Sequence, residues 1–209
     1  MRAIRILIAL ALALAMGAGA FAQETPDFGV KAGIAGNWMP GTFIDADDVV
    51  VPNFGFYGGA FVSQDFSDFF FGQVELLYSR KGVSTHKLVN TAVKYSRQIH
   101  YLQLPILVGM RFADERLSLM LGPEFGYCLG TKVYDGNAVL PDPSSMGTVR
   151  PFNFAIALQS CYWITENLGL DLKGDFGVTP TMKDAQVKDV KDRGHNLSIQ
   201  IGLSYRFGY

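Results

Sequence analysis

Cysteine and histidine are scarce in this chain: 209 residues hold two Cys and three His. Cys128 and Cys161 are too few for a disulfide-dense scaffold. Neither lies near the end of the N-terminal apolar run, so this start holds no lipid-modified cysteine. His86, His100 and His195 are scattered and no pair has metal-ligand spacing on a shared face. The acidic stretch "DADD" (45–48) offers hard oxygen ligands, but without further donors it reads as a solvated loop. No metal or other cofactor is expected. Charge is also sparse, at 18% of residues, with a formal net of -1. That excludes the basic field a nucleic-acid partner requires.

Long apolar runs are missing after the first one. Arg2 and Arg5, the run Ile6 to Met16, and Ala20-Phe21-Ala22 before Gln23 have the order of a cleaved export signal, predicted as residues 1–22. A membrane anchor is the alternative, but the run is short for the roughly 20 apolar residues of a helical span. Cleavage removes two arginines and no acid, taking the net charge from -1 to -3, and leaves 23–209 as one domain. Yet 49% of the residues are hydrophobic. An exported, greasy chain without a spanning helix needs another way to place its apolar surface.

Period-two alternation supplies it, recurring about eight times. "FGVKAGIAGNW" (28–38) sets Phe28, Val30, Ala32 and Ile34 against Lys31 and Asn37. "FGFYGGAFV" (54–62) is glycine-rich and leaves its facing open. "FGQVELLYSRKG" (71–82) sets Val74, Leu76 and Tyr78 against Gln73, Glu75 and Ser79. "HYLQLPILVGMR" (100–111) sets Leu102, Leu104, Ile106, Val108 and Met110 against Tyr101, Gln103 and Arg111. "LSLMLGPEFGYCL" (117–129), "FNFAIALQSCYW" (152–163), "LGLDLKGDFGV" (168–178) and the terminal "NLSIQIGLSYRFGY" (196–209) continue the pattern.

The connections alternate too. Long ones at 39–53, 81–97, 131–150 and 179–195 are separated by short ones at 63–68, 112–116 and 164–167. Strict alternation puts every long loop at one end of an up-and-down antiparallel sheet. Eight such strands close into a barrel, which removes exposed edges.

Two barrels fit that count. A soluble ligand-binding barrel is apolar inside, and Gly36-x-Trp38 has the spacing seen at the start of lipocalins. An outer-membrane barrel is inverted, with an apolar outer band and short periplasmic turns. Lys31, Glu75, Arg111, Glu124, Asp171, Lys173, Asp175 and Arg206 all lie opposite the Leu/Ile/Phe rows, four basic and four acidic. Paired charges suit a narrow lumen, where an unpaired one would be very costly. The apolar rows therefore belong outside, against outer-membrane lipid. Trp38, Tyr78, Tyr127, Tyr162, Trp163, Tyr205 and Phe207 fall near strand ends, where interfacial rings are expected.

The terminal strand must then pair with the first, because lipid-exposed backbone cannot stay unpaired. Gln200-x-Gly202-x-x-Tyr205-x-Phe207 resembles the C-terminal signal read by the barrel-assembly machinery, with Gly208 and Tyr209 beyond its usual end. In order, "FGFYGGAFV", "VELLYSRKG", "HYLQLPILVGMRF", "LGPEFGY" and "LGLDLKGDFGV" resemble the outer-membrane β-barrel domain family common in Bacteroidetes, called porin-like or PorT-like. The resemblance covers about 25–209 and implies an eight-stranded barrel in the bacterial outer membrane. It brings no catalytic residues.

No enzyme is expected. His100 has Ser96 nearby, but no third group orients a base toward a nucleophile. Pairing across the hairpin keeps Cys161, beside about residue 120, well away from Cys128, so two free thiols are predicted. The functional expectation is a surface scaffold with a side-chain-filled lumen, whose four long loops are the candidate contacts for an extracellular ligand or protein. The alternative is a narrow pore for ions or very small solutes, and a soluble lipid-binding barrel comes third.

Overall fold

The computed structural model describes residues 25–39, 48–87, 94–112, 116–135, 138–140, 148–183 and 194–207. The expected export signal, 1–22, and the extension Gly208–Tyr209 lie outside the described residues. Alternating sequences become eight strands: β1 (Asp27–Trp38), β2 (Asn53–Asp65), β3 (Phe70–Lys87), β4 (Lys94–Phe112), β5 (Leu117–Asp135), β6 (Phe152–Trp163), β7 (Leu168–Gly177) and β8 (Leu197–Phe207). Each pairs antiparallel with its sequence neighbours. The terminal strand closes the ring on β1, from Phe28↔Phe207 to Trp38↔Leu197.

Closure demands close approach at one pair. Gly33 stands opposite Gly202. A Cβ on Gly33 would lie 2.2 Å from Ile201 O, and one on Gly202 would lie 2.4 Å from both Ala32 O and Tyr57 Oη. Two side-chain-free residues let the seam close and give the Tyr57 ring its place in the interior.

Facing follows the alternation. Ile34, Val108, Leu121, Leu158, Leu172, Ile199 and Leu203 are exposed, whereas Lys31, Glu75, Asp171, Lys173 and Asp175 are at most 4% exposed. A continuous apolar exterior of this extent does not suit water. The interior is polar, so a soluble barrel with a greasy ligand pocket is ruled out. The open question over 54–62 resolves with Phe54 and Phe56 outward and Tyr57 and Phe61 inward. Leu104 departs from its row: it is buried, beside Pro105, where regular pairing with β3 lapses.

At the short-turn end, Phe66 N donates to Phe70 O at 2.9 Å and Ile164 N to Leu168 O at 2.8 Å. Thr165 Oγ1 accepts from Leu168 N at 3.0 Å, fixing the second turn.

The long-loop end differs from expectation. The described residues of 81–97 and 131–150 are largely strand: β3 and β4 run on to Lys87 and from Lys94, while β5 continues to Asp135. Its last pair with β6 is Tyr127↔Phe152, so residues 128–135 rise past that neighbour, supported by β4. Short strands extend the sheet on either side, 48–51 against β3 and 138–140 against β5. A further pair joins 148–149 to 182–183. A bilayer needs about 9–11 tilted residues per strand. β7, at 10 residues, meets that requirement, whereas β4 and β5, at 19 each, overshoot it on one side of the barrel.

Candidate functional site: the charged lumen

Strand periodicity delivers the inward charges to one axis. Lys31 on β1 places Nζ 2.7 Å from Glu75 Oε1 on β3 and 3.4 Å from Asp171 Oδ1 on β7. Its ammonium also sits 5.6 Å from the Phe61 ring centroid. Toward the long-loop end a second group forms. Lys173 Nζ lies 2.5 Å from Glu124 Oε2 and 3.5 Å from Asp175 Oδ1. Lys81 Nζ lies 2.8 Å from Asp175 Oδ2 and 3.3 Å from Glu124 Oε1.

Three ammoniums thus face four carboxylates, and amides supply the missing donors. Gln73 Nε2 donates to Glu75 at 2.6 Å, and Gln159 Nε2 reaches both Glu75 at 3.2 Å and Asp171 at 3.1 Å. Gln200 Nε2 donates to Asp175 at 2.6 Å. Gln103 donates to Glu124, and the Ser204 hydroxyl to Asp171. Buried ions repay their desolvation only with such supplementary bonds. The chemistry available is electrostatic.

Apolar layers bound the network. Met39, Ile99, Tyr101 and Val149 form a buried cluster at the long-loop end. Phe71, Leu107, Met120, Ala157 and Cys161 form another toward the short turns, with Trp163 against it. Between that second cluster and Arg206 lies a cavity of about 10 Å³, bordered by Gln73, Arg111, Asp171 and Ser204. It has room for about one water.

Six of the eight sequence-predicted charges therefore meet in the central network. The other two brace the short-turn rim. Arg111 pairs with Asp65, and its guanidinium lies 4.7 Å from the Phe71 ring. Arg206 Nη1 reaches Asp27 at 3.2 Å and its Nη2 donates to Glu166 O at 2.9 Å. Lys81 joins the central network: it lies where the predicted strand 71–82 overlaps the predicted connection 81–97, and it shares parity with Glu75 on β3. Trp163 is a correction: it lies under Arg206, 4.3 Å from the guanidinium carbon, and faces inward rather than lipid.

The residues of the predicted assembly signal divide by face. Gln200 belongs to the lumen and Gly202 to the seam, while Tyr205 and Phe207 point outward with ring centroids 5.5 Å apart. Ser96 and His100 do not form a catalytic pair. Ser96 Oγ accepts from Asn53 Nδ2 at 3.0 Å, whereas His100 Nδ1 lies 2.6 Å from Tyr78 Oη. His195 Nδ1 lies 3.0 Å from Gly177 O. No cluster of three or more metal-ligating side chains occurs among the described residues. Of the "DADD" stretch, 45–47 lie outside them. Both cysteines are free, and Cys161 pairs with Ser118, two positions from the expected register.

Comparison with known proteins agrees with this architecture. Residues 21–183 match the model of the outer membrane protein beta-barrel domain, and the chain belongs to that family. Its place is the bacterial outer membrane. No curated protein matches the chain in sequence. Among solved structures it is similar to Ail, the attachment invasion locus protein of Yersinia pestis, in complex with the heparin analogue sucrose octasulfate. That likeness has a TM-score of 0.50 and 15% identity, over 88% of this chain and 100% of Ail. Neisserial surface protein A gives 0.48 and 12% over 88% and 100%, and OprG from Pseudomonas aeruginosa 0.45 and 11% over 90% and 99%. At these identities the kinship is one of fold: a closed eight-stranded antiparallel barrel.

Proposed function

We propose that this member of the outer-membrane β-barrel domain family is a non-catalytic surface scaffold, with a lumen filled by its own side chains and outer segments that contact a ligand or partner protein. The observation that carries this reading is the bridging of Lys31, Lys81 and Lys173 to Glu75, Glu124, Asp171 and Asp175 across the barrel axis. An eight-stranded interior is just wide enough for side chains to fill, unlike the 16–18 strands of aqueous porins. The contact surface is then the outer material: 39–53, 81–97, 131–150 and 179–195.

A narrow channel for ions or very small solutes is the second reading. It is favoured by Glu75 Oε2, Ser79 Oγ and Gln200 Oε1, which are buried in the lumen without hydrogen-bond partners among the described residues. Such atoms are commonly satisfied by water. Single-channel recording of the folded protein in a planar bilayer separates the two. Electrical silence is expected; steady unitary steps would favour the channel.

Biogenesis fits the same proposal. Residues 1–22 direct export, and Gln200, Gly202, Tyr205 and Phe207 are read by the barrel-assembly machinery before closure.

A further inference from the structure

The outward face of the barrel wall is almost free of charge, with two exceptions at the long-loop end. Among the strand residues whose side chains are described, Arg80 and Lys132 are the charged ones that point away from the axis, and His100 stands between them. Arg80 pairs in register with His100 on β4, and His100 with Gly130 on β5, two positions before Lys132.

The cluster stands on an aromatic platform. The Arg80 guanidinium lies 5.1 Å from the Phe56 ring and donates through Nη2 to Phe54 O at 3.1 Å. Phe56 and Tyr78 have centroids 5.9 Å apart, and Tyr78 Oη holds His100 at 2.6 Å. Phe54 and Phe56 are exposed, as is Lys132.

No carboxylate answers these groups. Neither Asp nor Glu occupies an outward position of β2, β3, β4 or β5 among the described residues. Arg80 Nε and His100 Nε2 are buried and have no hydrogen-bond partner among the described residues. Cations on a lipid-facing wall are expensive at depth and tolerable only near the interface. Rings at that level mark the boundary between acyl chains and headgroups. Cations without a counter-charge there, beside exposed rings, are complementary to an anionic headgroup carried on acyl chains. A guanidinium is well suited to phosphate oxygens.

We infer that Arg80, His100 and Lys132, with Phe56 beside them and Tyr78 beneath, bind the phosphate of an outer-leaflet lipid. The site rests on the chain's membrane location, not on whether its lumen conducts. The lipid packs its chains against the rings and its phosphate against the cations, tying the wall to the outer leaflet at one place on its circumference.

The test uses the full folded chain in phosphatidylcholine nanodiscs and, as probe, lipid A, an acylated disaccharide bearing phosphates. Binding is titrated with lipid A, its dephosphorylated form and inorganic phosphate. The variant Arg80→Gln/His100→Gln/Lys132→Gln is expected to weaken lipid A binding by roughly tenfold or more, given the usual contribution of each cation near an anionic surface. Arg116→Gln, at the opposite rim, should leave it unchanged. If the triple variant does not fold, Lys132→Gln, a change at an exposed position, should still weaken binding severalfold. Undiminished binding by the folded charge-deleted variant would overturn the inference, as would equal affinity for dephosphorylated lipid. Inorganic phosphate binding as tightly as lipid A would overturn the assignment to a lipid.

Discussion

Replacing Lys31 by methionine keeps most of the side chain's length and removes one charge from the buried lumen network. Lys31 is the only ammonium within ion-pairing distance of both Glu75 and Asp171 among the described contacts. Without it, two carboxylates stay buried with Gln73, Gln159 and Ser204 as their remaining donors. Breaking a buried pair by deleting one partner costs about 3–5 kcal/mol, because the surviving charge remains desolvated. Total stabilities of folded domains are about 5–15 kcal/mol, so Lys31→Met should remove a large share. The assay is reversible urea unfolding from phospholipid vesicles, followed by fluorescence of Trp38 and Trp163. Electrophoresis with and without heating provides a parallel count of folded barrel. Adding Glu75→Gln should restore part of the loss, and the cycle of single and double variants isolates the pair. A loss below about 1 kcal/mol, the range of solvated surface pairs, would refute the reasoning. It would mean that water already reaches Lys31, and the channel reading would gain.

Gly202→Val should fail at closure, since its Cβ would overlap Ala32 O and Tyr57 Oη. A penalty at or beyond the roughly 1–3 kcal/mol of core overpacking is expected, read as a lower fraction of heat-modifiable barrel. Intact-mass analysis after alkylation should find two free thiols. Partly exposed Cys128 should react readily, and Cys161, buried beside Trp163, slowly until the barrel is unfolded. Equal rates for the two in the folded state would show that solvent enters the short-turn end of the lumen.

The fold was legible wherever one side of a strand meets lipid. There polarity changes along the strand, as from Leu168 to Phe176, and the facing of β6 through β8 followed from that alternation. The signal fades past the membrane boundary, where neither face meets lipid. In "VSTHK" and "KYSRQ" both faces carry polar groups, so 83–87 and 94–98 looked like loop although they pair as strands. Trp163 was misplaced for a different reason: a ring near a strand end suits an interface, but here a neighbouring guanidinium draws it inward. Charge partners were a matter of register and of strand tilt, neither of which composition encodes. Facing alone could gather Lys31 with Glu75 and Asp171 without deciding which atoms touch.

The uneven heights of the strands give an otherwise cylindrical molecule an azimuth. Eight residues beyond Tyr127 add about 26 Å along β5 at normal strand rise, before tilt is taken into account. Viewed from outside the cell, the protein is a flag on a post, with β3, β4 and β5 as the cloth. Rotation about the membrane normal then changes what a neighbour meets, which a smooth peg would not allow. A partner gripping the tall side can sense the barrel's heading, and copies crowded in one membrane can align or oppose their flags.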